Sequence, residues 1–331
     1  MLRSGDPRPA SLAPVHEGSR SLRQLLAAQV RSMSTVFLTG GSGFVGRSVL
    51  RALREQSHHV RCLLRPGAER RLPTRDGVEV VPGDVTVPGL WMKSLEGCDA
   101  VIHLVGIIRE FPGRGITYER LLVQGTRNVL DAARVGGVGR HLQMSALGTR
   151  PGAVSGYHRA KWQAEEAVRS SGLRWTVFRP SIIFGPEDEF VNMLAGMIRR
   201  LPVVPVIGDG RYRLQPVAVE DVAAGFVRAL SMDATVGETY SVAGPEPYEF
   251  NRLLELIGEA LGRRRVRKLH QPIGLIRPLV AVFQRLPFFP VTLDQLTMLE
   301  EQNVADPNPF ARAFGITLTS FPDGIRRYLA G

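Results

Sequence analysis

Tyr157 and Lys161 stand four residues apart in the run Tyr157-His-Arg-Ala-Lys161. In a helix that spacing puts both side chains on one face. A lysine ammonium beside a phenol favours tyrosinate and lowers a pKa that is ordinarily about 10. Tyr157 would then serve as an acid or base near neutrality. Ser145 follows the strand-like run His141-Leu-Gln-Met144, where its hydroxyl could orient a carbonyl. Together the three fit proton transfer to a carbonyl oxygen that receives a hydride. Singly, each has a plain structural reading: Tyr-x-x-x-Lys recurs by chance, and a serine after a strand is ordinary loop chemistry.

Hydride chemistry needs a carrier, and Thr39-Gly-Gly-Ser-Gly-Phe-Val-Gly46 offers a place for one. The run follows an apolar strand and opens an amphipathic helix. Gly40, Gly43 and Gly46 would allow a tight turn, close approach of backbone to a diphosphate, and close helix–sheet packing. The helix N-terminus would add free N–H groups and a favourable dipole. About twenty residues on, NAD readers place an acid for the ribose 2′-hydroxyl. Here the chain reads Leu63-Leu-Arg-Pro-Gly67. Arg65 in that place suits a 2′-phosphate, so NADP(H) is favoured over NAD(H). A solvated surface arginine is the other reading of Arg65. Asp84, in Gly83-Asp84-Val85, could hold an adenine amino group or simply end a strand.

These residues need a scaffold of alternating strands and helices. Strands are expected at 35–39, 59–64, 78–81, 100–105, 141–144 and 175–178, with helices between them, the longest from about Tyr118 to Arg134. Such alternation implies a parallel sheet covered on both faces. The fold class is α/β: a Rossmann-type doubly wound parallel sheet with a smaller, mostly helical C-terminal lobe. Residues 34–185 would form the dinucleotide-binding domain and 186–331 the substrate or partner lobe, with about 215–243 returning to the main sheet. Residues 1–33 read as a disordered tail or an over-called start, given Met33 just before the first strand. A targeting segment is the alternative.

The glycine turn, Gly83-Asp84-Val85, His103-Leu104, Ser145, Tyr157-x-x-x-Lys161 and Arg179-Pro-Ser-Ile-Ile-Phe-Gly-Pro186 together resemble the extended short-chain dehydrogenase/reductase superfamily. Within it, the chain is most similar to the accessory subunit of respiratory complex I and its bacterial relatives. Val101-Ile-His-Leu-Val-Gly-Ile107, Phe184-Gly-Pro-Glu-Asp-Glu-Phe190, Gln215-Pro-Val-Ala-Val-Glu-Asp-Val222 and Val291-Thr-Leu-Asp-Gln-Leu296 carry that narrower likeness. The resemblance implies cofactor contacts from Gly40, Ser42, Gly43, Phe44, Val45, Gly46, Arg65, Asp84, Val85, Leu104, Val105, Tyr157, Lys161, Pro180 and Ile183. It implies Tyr157 as proton donor, with Ser145 and Lys161 completing the catalytic group. Nucleotide-sugar enzymes of this kind often carry an Arg-Asp-Phe-type stretch before the late strand. This chain has Arg213-Leu-Gln-Pro216 there.

Three functions stay open: an oxidoreductase on an unidentified small molecule, a non-catalytic accessory or assembly subunit of a respiratory NADH:quinone oxidoreductase, and a nucleotide-sugar epimerase or dehydratase. Two cysteines in 331 residues argue against a disulfide framework and for a reducing, cytoplasmic setting. No Cys/His spacing suggests a metal. The net charge of +11 comes with no nucleic-acid motif, so no nucleic-acid partner is expected. The charge does gather at Arg263-Arg-Arg-Val-Arg-Lys268, ahead of the apolar run Ile273–Phe289, and no acid lies between Gly262 and Thr292. Residues 263–289 would either close the core of the lobe or touch a respiratory complex or the inner-membrane surface. Pro278 is expected to kink any helix there.

Overall fold

The computed structural model describes residues 33–284, 291–301 and 303–330. The expectations for residues 1–32 and for 285–289 fall outside them. The chain runs β1 (Thr35–Thr39), α1 (Phe44–Glu55), β2 (His59–Leu64), β3 (Val78–Pro82), β4 (Ala100–His103), α2 (Gly125–Val135) and β5 (Arg140–Met144). It continues through α3 (Gly156–Arg169), β6 (Arg174–Pro180), β7 (Ile183–Phe184), α4 (Phe190–Arg200), β8 (Val204–Ile207), β9 (Arg213–Leu214), β10 (Val217–Ala218) and α5 (Val219–Ala229). Last come β11 (Glu238–Val242), β12 (Tyr248–Glu249), α6 (Phe250–Ala260), β13 (Lys268–Gln271), α7 (Ile273–Phe283), α8 (Leu293–Glu300), α9 (Asn308–Phe314) and α10 (Phe321–Leu329).

Seven strands form one sheet in the order β11-β6-β5-β4-β1-β2-β3. Every pairing in it is parallel. The strands are apolar on both sides because both sides are covered. On one side Val36, Leu38, Val60, Cys62, Ile102, Leu142 and Phe178 join the core with Val49 of α1 and Phe226 of α5. On the other, Phe37, Leu63 and Val101 meet Trp91 and the α2 residues Val129, Ala132 and Ala133. The chain leaves β1 toward β2 and β3, then returns to build β4, β5 and β6 on β1's other flank. That reversal opens a crevice at the carboxyl ends of β1 and β4, where ligands of open α/β sheets bind.

The late elements divide differently from the expectation. Glu238–Val242 does join the sheet, beside β6. Val217–Ala218 instead pairs with β7 in a separate two-stranded piece. Pro216, with no N–H to give, suits a strand this short. The smaller lobe has its own core, in which Leu194, Val204, Leu253, Ile257, Phe321 and Ile325 meet. Phe310 and Phe314 of α9, by contrast, pack with Phe178 and Phe226 in the core of the main sheet. The C-terminal region is therefore shared between lobe and sheet. Pro278 lies inside α7, which runs from Ile273 to Phe283.

Candidate active site

The glycine turn lies at the end of β1, at the mouth of the crevice. Gly40 has φ +77°, a left-handed conformation that a side chain strains. A Cβ there would also lie 3.1 Å from the carbonyl carbon of Leu104 and 3.2 Å from the nitrogen of Val105. The exit of β4 thus presses directly on the turn. At Gly46 the constraint is harder: a Cβ would come within 2.0 Å of the Gly40 carbonyl oxygen. Gly43 is exposed, and as N-cap of α1 it offers no side chain to the first-turn amides. Those N–H groups are left for an anion. Ser42 and Phe44 are half-buried and Val45 is buried; Phe44 packs toward Gly185, and Arg47 donates to the Ser42 carbonyl at 3.0 Å.

Arg65 follows β2 directly and is exposed, without a side-chain partner among the described residues. Thr39 is in register with Leu63, so Arg65 leaves the sheet on the same edge as the glycine turn. Asp84 turns inward on itself: one carboxylate oxygen accepts the Thr86 N–H at 2.8 Å. Val85 is buried, and its carbonyl accepts from Asn128 at 2.7 Å. The donor set fits a dinucleotide diphosphate: a turn closed to a Cβ at Gly40 and Gly46, and uncapped amides at the start of α1.

Tyr157 and Lys161 both lie buried on α3. The Lys161 ammonium donates to the Met144 carbonyl at 3.0 Å, and a Cβ on Gly106 would be 3.5 Å from it. It therefore sits between the exits of β4 and β5. Its centre of charge is 5.9 Å from the middle of the Tyr157 ring. Burial lowers the Lys161 pKa to about 8, opposed by the Glu165 carboxylate. Burial raises the Tyr157 pKa well above its ordinary value. That differs from the lowered value expected from the lysine: at this separation desolvation wins. Tyr118, Ala146 and Tyr157 form a small apolar cluster with Ile107 and Met298 against it.

Ser145 is held by an acid. Its hydroxyl meets the Glu165 carboxylate at 2.5 Å and Thr149 at 3.3 Å. Glu165 is fully buried and is the hub of a network. Arg179 donates to both of its oxygens, at 2.9 and 2.7 Å, and Arg169 donates at 2.5 Å. A hydroxyl has one hydrogen, and here a carboxylate takes it. Pro180 closes the same loop by accepting the Leu147 N–H at 2.8 Å, and Ile183 is half-buried in β7 beside Val217.

Three acids have no role in the sequence reading, Asp294 among them although it lies in the Val291-Thr-Leu-Asp-Gln-Leu296 stretch. Glu165 lies one helical turn beyond Lys161, and that spacing was its only local signal. Asp294 comes from α8: its carboxylate accepts the N–H groups of Gly156 and Tyr157 at 2.7 and 3.0 Å, capping α3 at the tyrosine. Glu301 reinforces this tie by pairing with Arg150 at 2.7 Å and facing His158 at 3.5 Å. The Thr292-x-x-Gln295 capping box could be read from sequence, but not what α8 would touch.

Residues 36–243 match the NAD dependent epimerase/dehydratase family. Proteins of that family bind NAD(P) and include epimerases, dehydratases and reductases. The mitochondrial NADH dehydrogenase (ubiquinone) 1 alpha subcomplex subunit 9 of Arabidopsis thaliana is 29% identical over 286 residues, 82% of this chain and 69% of that protein. The ceramide reductase of Caulobacter vibrioides is 33% identical over 192 residues, 58% of this chain and 59% of that protein. Among solved structures, UDP-glucose 4-epimerase from Thermotoga maritima with UDP-glucose has a TM-score of 0.70 at 20% identity, covering 89% of this chain and 97% of that one. At that identity the likeness is one of fold. The family match runs from the first strand of the main sheet to the last, and the chain belongs to the NAD dependent epimerase/dehydratase family.

Proposed function

We propose that the protein is an NADP(H)-dependent oxidoreductase that reduces a carbonyl, with Tyr157 as proton donor. One observation carries the reading: Tyr157 and Lys161 are buried together on α3, with the lysine fixed between Gly106 and Met144 at the edge that holds the glycine turn. When bound, the nicotinamide supplies the hydride. Gly40, Gly43, Gly46 and the uncapped start of α1, with Ser42, Phe44 and Val45, hold the diphosphate. Arg65 holds the 2′-phosphate, and Asp84 and Val85 the adenine. Leu104, Val105, Pro180 and Ile183 flank the nicotinamide end, and Lys161 binds its ribose. Burial keeps the Tyr157 phenol protonated through neutral pH, which suits giving a proton rather than taking one. Ser145, its hydrogen held by Glu165, is a positioning residue for the loop after β5.

The likeness to a complex I subunit over 82% of the chain favours a second reading, an NADP(H)-binding accessory or assembly subunit at the periphery of the inner membrane. Calorimetric titration comes first. NADPH should bind at least about tenfold more tightly than NADH, and Arg65→Ala should narrow the gap; equal affinities in the natural chain would refute the cofactor assignment. With a panel of quinones, aldehydes and ketones, Tyr157→Phe should then cut turnover about 10² to 10⁴-fold and leave NADPH binding intact. Tight NADPH binding with no turnover on the panel would favour the accessory reading.

A further inference from the structure

The basic stretch that the site leaves unused is a surface. β13 pairs with β8 in parallel, Lys268 against Val204 and Leu269 against Pro205. Side chains alternate across such a ribbon. Val204 and Val206 face inward and are buried; Val203, Pro205, Arg267 and Leu269 are all exposed. Pro272 then leads directly into α7. There Leu275, Leu279 and Val282 stand at i, i+4 and i+7, on one face, with 74%, 46% and 69% of their surfaces exposed. Val280 is the one buried residue of that helix. Arg199 and Arg200 at the end of α4 join the exposed Arg263, Arg264, Arg265 and Arg267; Arg263 reaches the Arg199 carbonyl. No acid occurs between Glu259 and Asp294.

Exposed leucines and valines of this number, a few residues along the chain from a run of exposed arginines, are unusual on a surface that meets only water. We infer that this face docks on an anionic lipid bilayer. The charge pattern selects the occupant. A protein partner must bring a placed acid to each guanidinium, whereas anionic headgroups are mobile and neutralise a diffuse cluster without such matching. A short helix with an apolar face and flanking arginines sinks that face to the level of the acyl boundary and keeps its cations among the headgroups. No helix among the described residues is long and apolar enough to cross a membrane, so the contact is one of lying on the surface. The docked face adjoins the catalytic helix. Gln284, at the end of α7, accepts Arg109 from the loop after β4 at 2.9 Å and accepts the Leu293 N–H at 3.1 Å. The next residue, Asp294, caps α3 at Tyr157.

Sedimentation of the full chain with vesicles tests this directly. Binding to phosphatidylglycerol–phosphatidylcholine vesicles should be strong at low salt, weaken as salt rises, and be absent with phosphatidylcholine alone. Arg264→Gln/Arg265→Gln/Arg267→Gln should weaken it on the order of 100-fold. Leu275→Gln/Leu279→Gln/Val282→Gln should weaken it comparably. All of these residues are exposed, and an unchanged melting temperature with retained NADPH binding confirms that each variant is folded. Equal binding to neutral vesicles, or binding that neither variant reduces, would overturn the proposal. So would a chain that ignores vesicles and self-associates through Leu275, Leu279 and Val282, which would make the face a protein interface. None of these outcomes depends on whether Tyr157 is a catalytic residue.

Discussion

The two ends of the crevice hold their residues by different physics. At the β1–α1 turn position is steric: Gly46 meets the Gly40 carbonyl so closely that nothing larger fits, and Gly40 is pressed by Leu104 and Val105. Backbone pressed on backbone gives way less readily than a side chain, so the turn is shaped by its own chain. At the start of α3 position is polar and remote. Asp294 and Glu301 reach the tyrosine helix and the loop before it from more than a hundred residues away, through hydrogen bonds to Gly156 and Tyr157, a contact with His158 and an ion pair with the exposed Arg150. Such ties are worth little singly and open easily. On the proposed function, a turn fixed by its own backbone and a tyrosine end that depends on a C-terminal strap would let binding and chemistry be lost separately.

Breaking the steric end should have the largest effect. Gly46→Ala places a methyl 2.0 Å from a backbone oxygen, so the turn or the helix must move. Gly43→Ala meets only that same oxygen, at 3.2 Å. Titration with NADPH should show a loss on the order of a thousandfold for Gly46→Ala, about 4 kcal/mol, and a much smaller one for Gly43→Ala. Equal losses would mean that the contact at Gly46 is not what shapes the cradle. Next comes the buried tie of the tyrosine helix, the Glu165 network. Glu165→Leu leaves Arg179 and Arg169 without their buried carboxylate and should cost about 3 kcal/mol in urea unfolding, as broken buried pairs do. Both arginines keep some water contact, which holds the figure at the low end of that range. A cost below about 1 kcal/mol would class the network with surface ion pairs.

Much of this architecture was written locally. Val36, Phe37 and Leu38 announce a strand buried on both faces, and a glycine turn before an amphipathic helix announces the crevice. Tyr157 and Lys161 declare their shared face by spacing alone. What was not legible depended on partners far along the chain. An acid on an amphipathic helix reads as solvated, and Glu165 becomes buried only because β6 brings Arg179 to it. Ser145 looked free to hold a carbonyl for the same reason. Val217–Ala218 read as a strand of the main sheet, but Pro216 and the pairing with β7 diverted it. The stretch from Arg263 to Phe283 allowed either a core or a surface, since apolar periodicity does not say whether a partner element exists to cover it.

The smallest expected effect is the sharpest test of the strap. Asp294 takes two amide hydrogens at the first turn of α3, where a helix leaves its N–H groups unmet and favours negative charge. Removing a cap of this kind typically costs about 1 kcal/mol, so Asp294→Ala should lower the melting temperature by only a few degrees. NADPH affinity should not change, because the glycine turn is fixed by its own backbone. Hydrogen exchange at the Gly156 and Tyr157 amides should speed up about tenfold or less, consistent with the loss of that one cap. Asp294 gives one oxygen to each amide, whereas asparagine has a single acceptor oxygen and an NH2 that would face the other N–H, so Asp294→Asn should regain only part of the lost stability and protect only one of the two amides. If Asp294→Ala leaves exchange at these two amides untouched, α8 does not hold the tyrosine helix and the contrast between the two ends fails. If instead it weakens NADPH binding as strongly as Gly46→Ala, the ends are not separable, and the strap must be counted as part of the cofactor site.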